Sequence, residues 1–279
     1  MTEEMDTIIG GKLFRWKSET FVMGVINVTP DSFSGDGINF NIDLAVEKAL
    51  EFEKLGCHIL DIGGESTRPS ITYRNTSNTS AELEEQRVIP VIKANSEVVS
   101  IPISVDTYKA SVAEKAIQSG ASLVNDVWGF TKDPKMASLV AELKVPAVLM
   151  HNQHHTVYAD MLIDIVNRLD ELKSNAMKMG VCESNIILDP GIGFGKTALQ
   201  NIELFRSLEI LQKLNSPILI GSSRKSMIGK VLDLPPDQRI EGTAATVVIS
   251  ILKGADIVRV HDVKEIIRVV KMTDAIARK

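Results

Sequence analysis

Ile187-Leu-Asp-Pro-Gly-Ile-Gly-Phe-Gly-Lys-Thr197 begins as an apolar run, stops at an acid, then alternates glycine up to a Lys-Thr pair. Its end imitates a phosphate-binding loop, which needs four residues between a first glycine and Gly-Lys-Thr. Here three residues separate Gly191 from Gly195, and position 190, where the first glycine would stand, is proline. Two readings remain. Either a strand closes in a tight turn where glycine admits positive φ, or the strand ends by aiming Asp189 at a ligand.

The same unit recurs along the chain. Apolar runs at Phe21–Ile26, His58–Ile62, Ile103–Asp106, Leu123–Asp126, Ala147–Met150, Ile186–Asp189, Pro217–Ile220 and Ile257–Val260 read as strands buried on both faces. Helical spacing follows at Asp43–Leu55, Glu82–Glu97, Lys109–Ser119, Pro134–Leu143, Tyr158–Met179 and Ile202–Leu214. It continues near Ser226, at Glu241–Lys253 and at Val263–Ala277. Alternating strands and helices imply a parallel sheet. Eight such units fit an α/β chain folded as a single (β/α)8 TIM barrel. A doubly wound open sheet is the runner-up, and the absence of Gly-x-Gly-x-x-Gly after the first strand counts against it. Leu13–Lys17 and Glu19–Asn27 are two further extended runs, and the first is expected to make a short N-terminal β-hairpin with the start of the second. No linker or composition shift marks a second domain, so residues 1–279 read as one domain with residues 1–11 as a flexible tail.

Composition narrows the classes. The chain has 279 residues, 44% of them hydrophobic, enough for one sizeable core. A net charge of −5 with interspersed signs gives no footprint for nucleic acid or an anionic membrane. The acidic start, Met1-Thr-Glu-Glu-Met-Asp6, is unlike a signal peptide, and the apolar stretch Ala244–Leu252 is too short to span a bilayer. Cys57 and Cys182 form neither a metal spacing nor a disulfide framework, so a cytoplasmic location is expected.

In a barrel of this kind the site lies at the C-terminal ends of the strands. Those ends carry Asn27, Asp61, Asp106, Asn125, Met150-His151, Asp189, Ser222-Ser223-Arg224-Lys225, Arg259 and His261. One polar strand end is ordinarily a loop cap; a ring of them on one face points to a ligand pocket. Asp106, Asn125 and Asp189 offer mainly acceptors and suit a flat heterocycle with ring N–H and amino donors, although both acids also suit helix caps. Arg68, Arg224, Lys225, Arg259 and His261 form a basic group fitted to a polyanion such as diphosphate. Gly221-Ser-Ser223 before a helix start adds backbone N–H groups for an oxyanion or carboxylate, and Asn27 is a candidate ligand for a hard metal. Trp16 and Trp128 read as core or lid packing. His58 and His154-His155 lack metal-ligand spacing.

These motifs, in this order, resemble the dihydropteroate synthase family. The matching segments are Gly24–Ser34, Asp61–Pro69, Ser104–Lys109, Asn125–Gly129, Leu149–His151, Leu188–Lys196, Ser223–Ser226 and Arg259–Val263. The resemblance implies a (β/α)8 barrel, usually a homodimer, that joins p-aminobenzoate to (7,8-dihydropterin-6-yl)methyl diphosphate for folate synthesis. It implies pterin contacts from Asp106, Asn125, Asp189 and Lys225, a pocket lined by Met150 and Phe194, and Thr67 on the pterin diphosphate. Arg259, His261 and Asn27 with Mg2+ would hold the diphosphate. Phe33, Arg68 and Pro69 would belong to loops closing over p-aminobenzoate, whose carboxylate would meet Ser223. Lys225, Arg259, His261 and Asp189 would carry the chemistry. The chain departs from the family in reading Ser34-Gly-Asp-Gly37 in the first loop and in lacking the usual glycine after Arg68-Pro69. Rival readings are a pterin-binding methyltransferase barrel, which needs no diphosphate clamp, and a barrel that binds a pterin without turning it over.

Overall fold

Alternation along each strand sorts the side chains of this protein into two sets, one facing the barrel axis and one facing the helices. The computed structural model describes residues 6–28, 41–65 and 79–278. A hairpin of β1 (Thr7–Ile9) and β2 (Lys12–Phe14) precedes the barrel strands β3 (Phe21–Asn27), β4 (Ile59–Gly63), β5 (Ile103–Asp106), β6 (Leu123–Asp126), β7 (Ala147–Met150), β8 (Ile186–Asp189), β9 (Leu219–Ile220) and β10 (Ile257–Val260). The eight-stranded sheet is ordered β8-β7-β6-β5-β4-β3-β10-β9, all neighbours parallel, and a parallel bridge from Leu188 to Ile218 joins its two ends. The expected TIM barrel is therefore present.

Around it run α1 (Ile42–Leu55), α2 (Ala81–Ser96), α3 (Ala110–Gln118), α4 (Met136–Leu143), α5 (Met161–Lys178), α6 (Ala198–Arg206), α7 (Ser226–Leu232), α8 (Ile240–Leu252) and α9 (Val263–Ala277). Val22, Leu60, Val105, Val124, Leu149, Leu188 and Val258 point outward into the layer shared with these helices. Helix α6 starts four residues before the apolar spacing predicts. Thr197 caps it reciprocally with Gln200, and the later part of the expected helix tightens into a 3₁₀ segment at Leu208–Leu214.

Met23, Ile59, Leu123, Val148, Ile187, Leu219 and Ile257 point inward and fill the lower barrel. Their cluster continues into Ile9, Phe14, Trp16 and Phe21, so the hairpin closes the floor. This corrects the expected pairing. Thr7–Ile9 pairs with Lys12–Phe14 through Gly10 and Gly11, both at positive φ as a two-residue hairpin turn requires. Residues 7–11, expected within a flexible tail, are thus strand and turn, and the start of β3 is taken by β10. Trp16 confirms its packing role: it meets Phe21 edge-on at 5.5 Å between ring centroids and donates its indole N–H to Thr7 Oγ1 at 2.9 Å. Asp256 ties floor to barrel by accepting from Lys17 N at 3.1 Å and Ile218 N at 2.9 Å.

Trp16→Ala opens a cavity under the barrel and removes a buried hydrogen bond. Equilibrium denaturation is expected to show a loss of about 3–5 kcal/mol, the range for a buried large aromatic.

Candidate active site

The side-chain period of two fixes what stands above the apolar lower layer. Two residues beyond Ile59, Leu123, Val148, Ile187 and Ile257 on the same strand face come Asp61, Asn125, Met150, Asp189 and Arg259. Asp106 joins them from β5, and Asn27 ends the inward face of β3, beside Gly63 in register. The expected strand-end residues are thereby brought together over one barrel mouth.

The central contact is ionic. Arg259 donates from Nε to Asp61 Oδ2 at 2.6 Å and from Nη2 to Asp106 Oδ2 at 2.7 Å, while Asn125 Nδ2 also donates to Asp61 Oδ2 at 3.2 Å. Asp61 is fully buried and Asp106 is 5% exposed. Each keeps a second carboxylate oxygen, Oδ1, with no hydrogen-bond partner among the described residues. Burial pushes the Asp106 carboxyl up to about 7 against the pull of Arg259, with Asp61, Glu84 and Lys225 as further charges in range. The same pair of carboxylates raises the already high pKa of Arg259, which stays charged. Asp61 stands in the sequence as one strand end among several; its bond to Arg259 is the feature of the site that the sequence does not show.

The loop after β8 is the stretch that imitates a phosphate site. Asp189 accepts from Gly191 N at 2.7 Å, and burial raises its carboxyl to about 6. Gly191 has φ 71°, and a Cβ there would lie 2.0 Å from His151 O, so the close approach demands glycine. Lys196 turns its amine inward, donating to Gly191 O and Phe194 O, both at 3.0 Å, and meeting His151 Nδ1 at 3.1 Å. Burial lowers Lys196 to about 7 and His151 to about 3. Lys196 is a fastener of its own loop. Phe194 so held packs with Val127, Met150 and Trp128 in an apolar shelf, and Lys225 Nζ lies 4.3 Å from the Phe194 ring centre. The Trp128 ring meets that of His154 at 4.6 Å between centroids with a 40° tilt, in keeping with a packing role for Trp128.

In the neighbouring loops after β9 and β10, Ser223 Oγ accepts from His261 N at 3.2 Å and lies 3.0 Å from its ring Nδ1. Burial, with Arg259, Arg224 and Lys225 close by, drives the His261 pKa far down, so this ring enters as a neutral hydrogen-bonding group and not as one of the expected cations. Arg224, also expected among the basic group, pairs with Asp262 through Nε at 3.0 Å. Its charge links the loops after β9 and β10. Phe33, Asp36, Thr67, Arg68 and Pro69 lie outside the described residues.

Residues 23–261 match the family of pterin binding enzymes. The dihydropteroate synthase of Clostridium beijerinckii is 53% identical, over 97% of this chain and 99% of that one. A crystal structure of the Clostridium difficile dihydropteroate synthase, obtained in the presence of pteroic acid, superposes with a TM-score of 0.90 at 48% identity, covering 95% of this chain and all of that one. The Xanthomonas albilineans dihydropteroate synthase with 4-aminobenzoic acid gives 0.91 at 35% identity and 99% coverage of both chains. A barrel closed underneath by apolar side chains and lined above by paired carboxylates, an amide and buried cations thus comes with relatives that match nearly end to end, and this chain belongs to the pterin-binding enzyme family as one of its dihydropteroate synthases.

Proposed function

We propose that this chain joins the dihydropterin-methyl group of (7,8-dihydropterin-6-yl)methyl diphosphate to p-aminobenzoate, releasing diphosphate and forming 7,8-dihydropteroate. The observation that carries the reading is the convergence of Asp106, Asn125 and Asp189 on one mouth beside the Met150–Phe194 shelf. A pterin edge bears ring N–H and amino donors on a flat apolar body, and this pocket offers acceptors on one side and an apolar wall on the other. Lys225, above the Phe194 ring, supplies a donor for the pterin oxygen or ring nitrogen.

The chemistry follows from charge. The bond between the methylene carbon and the diphosphate oxygen breaks with its electron pair leaving on oxygen. Positive charge then spreads from that carbon into the pterin ring, beside the buried carboxylates of Asp106 and Asp189, where a low dielectric strengthens the attraction. The aniline nitrogen supplies the new bonding pair and loses a proton. No protein nucleophile is required. Arg259 and the His261 ring would receive the leaving group; a diphosphate beside His261 would raise its pKa and make it a proton donor. Ser223 and the start of α7 are assigned to the p-aminobenzoate carboxylate, Arg68 to the p-aminobenzoate site and Thr67 to the pterin diphosphate.

For the metal, the described residues contain no group of three His, Cys, Asp or Glu able to hold an ion. Asn27 offers one amide oxygen at the end of β3, a donor set that fits Mg2+ arriving with phosphate oxygens and waters better than a resident ion. Bound there, Mg2+ would neutralise charge on the leaving diphosphate. We assign the chain to the cytoplasm on its cysteine usage; no helix among the described residues is long and apolar enough to cross a membrane. We also propose a homodimer through α7 and α8, which touch each other and expose Val231, Leu232, Ile249 and Leu252.

The test is diphosphate release from the pterin diphosphate with Mg2+ present, which should depend strictly on added p-aminobenzoate. Folded Lys225→Ala and Asp189→Asn are each expected to lose about 100-fold or more in turnover; near-normal rates in either would remove that residue from the assignment. Acceptance of pterin donors needs ionised carboxylates, and Asp106 and Asp189 are raised to about 7 and about 6. The value of kcat/KM for the pterin substrate should therefore fall as pH drops through that interval, since it reports groups of the free enzyme. Light scattering should give twice the chain mass, reduced toward one chain in Val231→Glu.

A further inference from the structure

We propose that Asp61 is a positioning residue: its carboxylate anchors Arg259 and Asn125 so that Asp106 is left able to exchange its arginine for a pterin. The proposal rests on the pterin reading of the pocket. Asp106 has two claims on it, as partner of Arg259 Nη2 at 2.7 Å and as expected acceptor for the ligand. The Arg259 side chain, 19% exposed, lies between buried carboxylates and should keep a counter-ion when one of them turns to substrate, because an unpaired charge held away from water is strongly disfavoured. Asp61 removes the conflict. It lies one strand away on β4, is fully buried, and takes Arg259 through Nε at 2.6 Å, a separate nitrogen from the one Asp106 uses. The same oxygen receives Asn125 Nδ2 at 3.2 Å, which turns the Asn125 carbonyl the other way, away from Asp61. One fully buried side chain thus sets two other residues of the site, spanning β4, β6 and β10.

Removing the Asp61 charge should make Asp106 the sole carboxylate bonded to Arg259. Its Oδ2 then stays locked, and of that carboxylate the pterin is left with Oδ1 alone. The groups facing Asp106 are Asp61 on β4, Glu84 on α2, Lys225 after β9 and Arg259 on β10. Loss of one like charge among them, with a tighter hold by Arg259, moves Asp106 ionisation downward from about 7.

The experiment measures equilibrium binding of 7,8-dihydropteroate to wild type and to Asp61→Asn across pH 5–9, together with steady-state KM for both substrates. Asp61→Asn should weaken pterin binding at pH 8 by about tenfold or more, a usual effect of an outer partner that orients a ligand-binding group. The KM for p-aminobenzoate should stay within about twofold, as Ser223 and α7 are not bonded to Asp61, and the acid limb of pterin binding should move to lower pH. A merely structural role would lower thermal stability and active fraction while leaving affinity and limb in place, and that result overturns the proposal. Should Asp61→Asn not fold, Asp61→Ser, which relieves any mismatch with Asn125 Nδ2, takes its place; failure of both to fold would assign Asp61 to the core alone and also overturn it. Wild-type protein that binds no pterin would instead refute the pocket reading, and wild type that binds pterin without p-aminobenzoate-dependent turnover would refute the synthase activity alone.

Discussion

A charged guanidinium held between two buried carboxylates inside a barrel is the constraint from which the rest of the site follows. Arg259 is held between Asp61 and Asp106 by two hydrogen bonds of 2.6 and 2.7 Å. Such a cluster is costly to desolvate and does little for net stability, so its value lies in what it arranges. It can persist because everything under it is dry. Seven inward aliphatic side chains, and the hairpin residues Ile9, Phe14 and Trp16 beneath them, deny water to the lower barrel. The apolar floor therefore does electrostatic work, lowering the effective dielectric in which the carboxylates act.

The loop after β8 shows that a lysine beside glycines is not in itself a phosphate site. Its lysine has the neighbours of a phosphate-binding lysine, yet Lys196 spends its three donors on Gly191 O, Phe194 O and the His151 ring. The glycines serve geometry: Gly191 passes so near the His151 carbonyl that no side chain fits. The outcome is a rigid turn that presents Asp189 on one side and the Phe194 ring on the other. A second fastening acts behind the site, where Lys109 pairs with both Glu65 and Glu84 at the point where the loop after β4 begins.

Legibility in the sequence tracks how local each cause is. The barrel could be read because burial on both faces of a parallel strand writes itself as a continuous apolar run, and the polar residue closing each run marks the mouth. Asp106, Asn125, Met150, Asp189, Arg259 and His261 were found by that rule, and the structure does gather them. The rule says nothing about partners. That Asp61 would meet Arg259, 198 residues away, has no local signature. Nor does the neutrality of His261, which comes from burial beside cations supplied by other parts of the fold. The hairpin was misplaced for a related reason: β1 is only three residues long, too short for periodicity to separate it from a tail, and its evidence is the Gly10-Gly11 turn.

The balance of charge in the pocket bears on how the reaction is helped. Three buried carboxylates, Asp61, Asp106 and Asp189, face Arg259, with Lys225 at the rim and Lys196 lowered to about 7 beneath. Burial alone would favour neutral acids, and it does raise Asp106 and Asp189 into the range where they titrate near physiological pH. A neutral ligand would leave that strain in place. A ligand on which positive charge develops relieves it, because each increment of charge on the pterin draws both acids toward their ionised form. Interactions that strengthen as charge appears act on the transition state more than on the bound substrate, which is the condition for raising the rate and not only the affinity. The same reasoning places the anionic leaving group beside Arg259 and His261. Each developing charge then meets its own counter-charge within one pocket.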